Sequence, residues 1–199
     1  MTGRYRSFDL SGGHPALDFV NTLDERPFPA PVETLADYAA LVRFAEVTGL
    51  VVAAQARQLR KPVAHHTAIA KRARELREQL YGVLSAWRQR NPPPRRELRA
   101  ITSAIREAQA ARALSVSNGK TIARYEWLSP YAPELPLYAC ALAIKDLLTN
   151  AERGRIRKCG AADCEVYFID TSKGHRRHWC SMENCGNREK QRRWRAERV

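Results

Sequence analysis

The sequence lacks both an amino-terminal signal peptide and an apolar segment long enough to cross a membrane. Its first residues, MTGRYRSFDLSGG, contain no apolar stretch of the kind that a signal peptide needs. The longest uncharged apolar run covers residues 135–144, about half of the roughly 20 residues that a helix needs to span a bilayer. We therefore expect a buried helix there and a cytoplasmic protein that does not bind to a membrane.

Acidic residues are scarce relative to basic ones. The 199 residues include 34 Lys and Arg but only 21 Asp and Glu, which gives a formal net charge of +13 at pH 7. A chain with this charge prefers polyanionic partners, with nucleic acid first and an acidic membrane or protein second. Charge alone gives such binding no sequence specificity.

Catalytic signatures are missing as well. No nucleophile–base–acid set and no phosphate-binding loop stands out, and the Gly12-Gly13 pair is far from a dinucleotide-binding fingerprint. We therefore expect a binding protein and not an enzyme.

The length limits the number of domains. A chain of 199 residues is long enough for one core of ordinary size and one small appended module, but not for two full domains.

Two helices are predicted near the start of a helical domain that spans residues 1–152. Pro15 suits the first turn of a helix over residues 15–24, in which apolar side chains recur at helical spacing. After a proline-rich loop, Thr34 is expected to cap a second helix, which ends at Gly49.

Residues 50–116 are predicted to be helical almost throughout, because Ala, Leu, Arg, Glu and Gln dominate the segment. Prolines break it at Pro62 and at residues 91–94. Residues 120–128 contain β-branched and aromatic side chains and predict a strand or an extended segment. A last helix is expected over residues 135–151, so the predicted fold class is mainly α.

Four of the five cysteines lie in a second predicted module, residues 153–199. They form two C-x4-C pairs separated by fifteen residues: Cys159, Cys164, Cys180 and Cys185. Two close pairs joined by a short loop are what a tetrahedral Zn²⁺ site needs. Four thiolates close the coordination sphere and leave no position for water, so the predicted cofactor is one structural zinc ion.

Other uses of the cysteines stay open at this point. Disulfides are disfavoured without a secretion signal, a redox pair usually shows x2 spacing, and iron–sulfur clusters usually show other spacings. His175 and His178 lie between the pairs and can replace one thiolate, although the simpler interpretation is two basic surface histidines. Cys140, in an apolar helix, is interpreted as a small buried side chain.

The segment between the two cysteine pairs predicts a β-hairpin with its turn at residues 172–174. Ser181 is then expected to cap a helix that holds Cys185 in its first turn and continues through residues 186–198. A knuckle, a hairpin and a helix that begins at the metal together describe a small treble-clef-like α+β zinc finger.

This finger is the predicted nucleic-acid-binding module. Arg188, Arg192 and Arg195 follow each other at i, i+4 and i+7, so they share one side of the helix. Arginine forks bind phosphates and read guanine edges, whereas a solvated helix face is the alternative for such a charge run. The predicted nucleic-acid-binding residues are Arg176, Arg177, Asn187, Arg188, Lys190, Arg192, Arg193 and Arg195.

Three polar residues near the amino terminus form a candidate ligand site. His14, Asp18 and Asn21 lie close together beside a glycine turn, with Asp18 and Asn21 on one side of the predicted helix. They can anchor a small molecule in an apolar bundle. We favour a structural role, because buried polar side chains are more often satisfied internally than used for ligands.

Two stretches of the sequence resemble known families. The residues WCSM..CGNR.K, with the upstream C-x4-C pair and YFID.S, resemble the CGNR zinc finger. The opening GGHPALDFVNTL resembles the start of the ABATE domain, which commonly precedes that finger in bacterial proteins described as stress-induced transcription regulators. The resemblance covers nearly the whole chain and implies a DNA-binding regulator, with the four cysteines as ligands and Gly186, Asn187 and Arg188 as the signature.

The leading hypothesis is therefore a bacterial transcription regulator that docks its basic helix on duplex DNA. Its helical domain is a candidate for sensing a small-molecule effector or for homodimerisation. An RNA-binding or ribosome-associated protein is the alternative, since Trp179 and Trp194 can stack on exposed bases. A third hypothesis is an enzyme with a structural finger, in which the cluster of His14, Asp18 and Asn21 is catalytic.

Overall fold

A computed structural model describes residues 8–61, 64–116, 123–150 and 154–197. Helices make up 53% of the structure, which confirms the mainly α class. The elements in chain order are α1 (Pro15–Asn21), β1 (Leu23–Asp24), β2 (Val32–Glu33), α2 (Tyr38–Val47), α3 (Ala53–Leu59), α4 (His66–Arg88), α5 (Arg95–Ala110), β3 (Arg112–Ser115), β4 (Arg124–Trp127), α6 (Leu135–Thr149), β5 (Ile156–Lys158), β6 (Tyr167–Ile169) and α7 (Asn187–Ala196).

The chain forms two compact units, and the cysteine-rich end is not a unit by itself. Unit 1 combines Met1–Thr34 with Leu147–Val199, whereas unit 2 consists of Leu35–Asp146. The sequence-based division between residues 152 and 153 lies outside the described residues. Within the described ranges, no helix combines the length and the apolarity that a membrane crossing requires.

Unit 2 is the helical unit, and its long helix α4 buries the stripe that the sequence predicts. Ile69, Ala73, Leu76, Leu80 and Leu84 recur at helical spacing and are at most 3% exposed. Burial of such a stripe, and not local propensity alone, is what stabilises a helix of this length in a folded protein.

The start of α2 differs from the prediction. Asp37, and not Thr34, is the capping residue, because the Asp37 carboxylate accepts a hydrogen bond from the Ala40 backbone N–H at 2.8 Å. The helix ends as predicted near Gly49, whose φ of +73° is a left-handed conformation that glycine adopts without strain.

Residues 112–115 form a strand and not the end of a helix, which corrects the sequence-based expectation. β3 pairs antiparallel with β4, and Leu114 lies opposite Tyr125. β4 confirms part of the extended segment predicted over residues 120–128, whereas the Asn118-Gly119 turn lies outside the described residues. Backbone pairing with β4 satisfies β3, so helical propensity in this short stretch is overridden.

Unit 1 contains a two-stranded antiparallel sheet, but its pairing is not the predicted one. β6 pairs with β5, which precedes the first cysteine, with Arg157 opposite Phe168. Asp170 explains why the chain turns away after β6: its carboxylate accepts hydrogen bonds from the backbone N–H groups of Ser172 at 3.0 Å and Arg177 at 3.1 Å. Residues 170–179 therefore form a loop.

The outer edge of β6 is bound by the beginning of the chain. The side-chain amide of Asn21 donates to the Tyr167 carbonyl oxygen and accepts from the Tyr167 N–H, both at 2.9 Å. The Ile169 N–H donates to the Gly12 carbonyl oxygen at 2.8 Å. The amino-terminal segment is thus part of the fold that carries the cysteines, as the contact between α1 and β6 also indicates.

Candidate metal centre and nucleic-acid interface

The four cysteines predicted as ligands converge on one buried point. All four Sγ atoms lie within 4.8 Å of one another, with Cys164 and Cys180 at 3.9 Å and Cys180 and Cys185 at 3.5 Å. Four Zn–S bonds of about 2.3 Å in a tetrahedron place sulfur atoms about 3.8 Å apart. The donor set and its spacing therefore fit one structural zinc ion.

The first cysteine pair is held by a knuckle that follows β5. The Cys159 N–H donates to the Val166 carbonyl oxygen at 2.8 Å, and the Cys164 N–H donates to the Ala161 carbonyl oxygen at 3.2 Å. Gly160 leaves room for the His178 ring, because a Cβ atom on Gly160 would collide with His178 Nε2. Backbone hydrogen bonds thus fix the positions of Cys159 and Cys164.

The second pair is held by the start of the finger helix. Ser181 Oγ accepts from the Asn184 N–H at 3.3 Å and caps a wide helical turn of π type over Met182–Gly186, which carries Cys185 and leads directly into α7. The predicted cap and the predicted position of Cys185 both agree with this geometry.

The four neighbouring thiols shift each other's pKa values. Hydrogen bonds from the Cys164 and Cys180 thiols lower the pKa of Cys159 far below its usual value, whereas burial raises the pKa of Cys185. Donation of its proton to Cys159 likewise raises the pKa of Cys164. One thiolate is favoured by its neighbours, but four adjacent thiolates repel each other, so full ionisation needs a cation between them.

An apolar shell surrounds the sulfur atoms. Ala161, Val166 and Phe168 are buried in one cluster with the four cysteines, and Trp179 packs against it. Neither histidine is needed as a ligand: His178 meets Trp179 edge to face with ring centroids 5.0 Å apart, and His175 Nδ1 lies 3.4 Å from the Asp170 carbonyl oxygen. The four-cysteine ligand set is therefore complete without them.

Arg177 points into the protein although it was predicted to bind nucleic acid. Its guanidinium lies 4.3 Å from the centroid of the Phe168 ring, a cation–π contact. Its Nε donates to the Trp179 carbonyl oxygen at 3.1 Å, and its Nη2 donates to the Cys180 carbonyl oxygen. Arg177 therefore supports the loop that leads to the second cysteine pair.

Arg188 and Arg192 bind the same carboxylate inside the finger. Arg188 Nη2 lies 2.8 Å from Asp163 Oδ1, and Arg192 Nη2 lies 2.6 Å from Asp163 Oδ2. Although burial opposes the shift, the hydrogen bond from Arg192 and the two positive charges lower the pKa of Asp163. Asp163 was not among the predicted site residues. The one sequence signal that points to it is its position directly before Cys164 in a basic segment.

Four of the predicted nucleic-acid-binding residues present a charge to solvent without an ion pair inside the described part of the chain. They are exposed residues of the loop and of α7: Arg176, Lys190, Arg193 and Arg195. The remaining one, Asn187, donates from its side-chain amide to the Glu183 carbonyl oxygen at 3.3 Å.

The side of α7 that faces away from Lys190 and Arg193 borders an acidic groove within unit 1. The groove has a volume of about 690 Å³, and Asn187, Arg188 and Gln191 line it from the helix. Its carboxylates come from Asp9, Asp24, Glu25, Asp163, Glu165 and Glu183. Carboxylates thus surround the side of α7 that carries Asn187 and Gln191, whereas the side that carries Lys190 and Arg193 presents positive charge to solvent.

The polar residues predicted as ligand anchors each carry a hydrogen bond within the amino-terminal fold. His14 Nδ1 accepts from the Ala16 N–H at 3.2 Å and caps α1, while Asp18 Oδ1 accepts from the Gly12 N–H at 2.9 Å. Burial raises the pKa of Asp18 to about 6. Together with the Asn21 contacts to Tyr167, these bonds join the glycine turn, α1 and β6. Ligand binding by these three residues stays a prediction.

Comparisons with known families confirm both resemblances noted in the sequence. Residues 13–151 match the ABATE family, described as "Putative stress-induced transcription regulator", and residues 155–198 match the CGNR zinc finger. Neither is a family of enzymes. A search of curated proteins gives no match to this chain. The chain is therefore a zinc-binding member of the ABATE family of regulators, with a CGNR zinc finger at its carboxyl-terminal end.

Proposed function

We propose that this protein is a transcription regulator that binds duplex DNA through the exposed cations of its zinc finger. The proposal rests on four exposed cations, three on α7 and one in the loop before it, that form no ion pair within the described part of the chain. The start of α7 is held by the metal-binding cysteines. The four cations, which we call the cationic surface, are Arg176, Lys190, Arg193 and Arg195. Zinc supplies folding energy and a fixed helix start when bound, and it has no chemical role in the proposal.

Electrostatics select the side of α7 that faces DNA. Phosphates are repelled by the carboxylates of the acidic groove, so the side that carries Asn187 and Gln191 is disfavoured. Lys190 and Arg193 lie on the other side of the helix and can approach phosphates or base edges without that repulsion. Two members of the i, i+4, i+7 row, Arg188 and Arg192, are bound by Asp163. We therefore assign DNA contact to the cationic surface, which includes Arg195 as the third member of that row.

Adjacent residues Arg176 and Arg177 give a sharp test of this assignment. We expect Arg176→Ala to weaken duplex binding while leaving the free energy of unfolding unchanged within about 0.5 kcal/mol, as is usual for surface substitutions. Arg177→Ala should instead destabilise unit 1 by roughly 1–3 kcal/mol, because it removes a cation–π contact and two hydrogen bonds to carbonyl oxygens. Fluorescence anisotropy with labelled duplex and urea unfolding measure the two effects.

The salt dependence of binding tests the surface as a whole. Each phosphate contact contributes about 0.9 to the slope of log K against log salt. Alanine at all four positions of the cationic surface should therefore lower that slope by roughly 3–4. A control variant removes four exposed arginines of unit 2, Arg57, Arg95, Arg96 and Arg99, and should leave the slope within one of wild type. Equal losses in both variants would count against a specific surface.

Structured RNA is the second candidate ligand. Trp194 is 53% exposed at the end of α7, where a base can stack on it, whereas Trp179 packs against the zinc cluster. Competition between duplex DNA and structured RNA at matched salt separates the two candidates. The DNA proposal predicts that a Trp194→Ala variant keeps its duplex affinity, and preferential binding to RNA that is lost in this variant would favour the alternative.

Three finer parts of the proposal are an effector, a homodimer and a non-enzymatic role. An effector would raise the melting temperature in a metabolite screen, and a homodimer would give twice the chain mass in sedimentation. The absence of a nucleophile–base–acid set in the sequence and the structural roles of His14, Asp18 and Asn21 support a protein that is not an enzyme. Cytoplasmic location follows from the proposal, because bacterial DNA lies there.

A further inference from the structure

Arg188 contacts both a predicted zinc ligand and a residue of the opposite knuckle. We propose that Arg188, held by Asp163, is a positioning residue of the zinc site: it donates a hydrogen bond to the Cys185 thiolate and joins the two halves of the finger. This role goes beyond DNA binding and does not depend on it. It also gives the arginine of the Cys-Gly-Asn-Arg motif a function inside the protein.

The distances place one nitrogen atom between sulfur and carboxylate. Arg188 Nη2 lies 3.2 Å from Cys185 Sγ and 2.8 Å from Asp163 Oδ1. Its side chain is 39% exposed, so it is partly withdrawn from solvent. A guanidinium is planar and carries several donors in fixed directions, which lets it bridge two anionic acceptors.

Asp163 connects this contact to the first cysteine pair. It lies in the loop between Cys159 and Cys164, whereas Arg188 lies one turn after Cys185 on the helix side. The second carboxylate oxygen binds Arg192 Nη2 at 2.6 Å, and Arg192 Nη1 also binds Glu189 at 2.6 Å. The two knuckles are therefore linked by an ionic contact as well as by the metal.

The positive charge of Arg188 favours its contact with the zinc-binding thiolates. Four thiolates around Zn²⁺ carry a net charge of about −2, and they do so among buried apolar side chains. A guanidinium at hydrogen-bond distance offsets part of that charge and orients one ligand, as outer-sphere partners commonly do.

Zinc release from the intact protein tests the proposal. Substitution of an outer-sphere partner typically costs about 10–100-fold in metal affinity, so Arg188→Ala should lose zinc to a chromogenic chelator about that much faster. Arg188→Lys keeps the charge but not the fork and should lie between Arg188→Ala and wild type. Asp163→Asn, which releases the other end of the contact, should also speed release. The matched control is Arg195→Ala, an exposed arginine of the same helix, which should release zinc at the wild-type rate.

Cobalt substitution supplies a readout that a general loss of stability would not move. Removal of a hydrogen bond from a ligating thiolate raises the energy of its lone pairs, so the sulfur-to-cobalt charge-transfer band of Arg188→Ala should shift to lower energy. The tetrahedral ligand-field bands should persist and report an intact four-sulfur site. An unshifted charge-transfer band together with wild-type zinc release in Arg188→Ala would overturn the proposal. If Arg188→Ala does not fold, the same comparison uses Arg188→Lys and Asp163→Asn.

Discussion

Replacement of Asn21 by alanine should weaken the zinc-bearing unit although Asn21 lies more than 130 residues before the first ligand in sequence. The Asn21 side chain is 5% exposed and makes two hydrogen bonds of 2.9 Å to the backbone of Tyr167. Tyr167 itself is 2% exposed, so its N–H and carbonyl groups lose both partners in a buried place.

The expected cost follows from those two groups. A buried backbone group without a partner costs about 1–3 kcal/mol, and partial relaxation or entry of water brings the sum for Asn21→Ala to roughly 3 kcal/mol. Asn21→Asp has the same size but should also destabilise, because it removes the N–H donor and places a carboxylate against the Tyr167 carbonyl oxygen.

Urea unfolding at a fixed free zinc concentration, followed by zinc release, measures this effect on unit 1. With a slope of about 1–3 kcal/mol per molar urea, a loss of about 3 kcal/mol lowers the midpoint by at least about 1 M. Asn91→Ala is the control, because Asn91 is exposed and its side-chain amide donates to the exposed Gln89 side chain at 3.3 Å. A midpoint for Asn21→Ala that equals the control would refute the conclusion that the amino-terminal segment belongs to the zinc-bearing fold.

Two further predictions concern ionisable groups. Burial raises the pKa of Asp18 to about 6, so the folded state holds a proton that the unfolded state loses near pH 4, and this contribution to stability disappears as the pH rises through 6. The stability difference between Asp18→Asn and wild type should grow in favour of the variant by about 1 kcal/mol from pH 5 to pH 7.5, and a constant difference would contradict this pKa. Tyr38→Phe removes the hydrogen bond from the Tyr38 hydroxyl to the Pro133 carbonyl oxygen at 2.8 Å and should destabilise unit 2 by about 1 kcal/mol in urea unfolding. Tyr131→Phe, at a residue that is 57% exposed, should have no effect.

The zinc site could be predicted from sequence because its determinants are local. Each C-x4-C pair folds as a short knuckle, and the Ser181 cap acts on an N–H three residues away. Such signals depend on residue types within one or two turns of the chain, and a fourfold set of thiols has few competing interpretations outside a secretory protein.

The strand pairing and the role of the amino-terminal segment could not be predicted in the same way. The partner of β6 was expected after residue 172 but is β5, and the second edge of β6 is satisfied by Gly12 and Asn21. A polar side chain that pairs with a backbone far along the chain leaves no periodic pattern, so Asn21 was grouped with Asp18 as a ligand candidate.

The row of arginines on α7 shows a related limit. Helical spacing correctly puts Arg188 and Arg192 on one side of the helix, but the same spacing is expected whether that side faces solvent, DNA or a carboxylate. The deciding residue, Asp163, precedes Arg188 by 25 positions. Sequence periodicity thus identified the shared face and could not identify its partner.

DNA binding itself can be measured with the purified, zinc-loaded protein and fragmented genomic DNA at physiological salt. We expect a small set of fragments with a common sequence to be enriched, and the four-alanine variant of the cationic surface to lose the enrichment. Recovery of fragments in proportion to their input, or equal enrichment by that variant, would contradict a DNA-binding regulator that uses this surface.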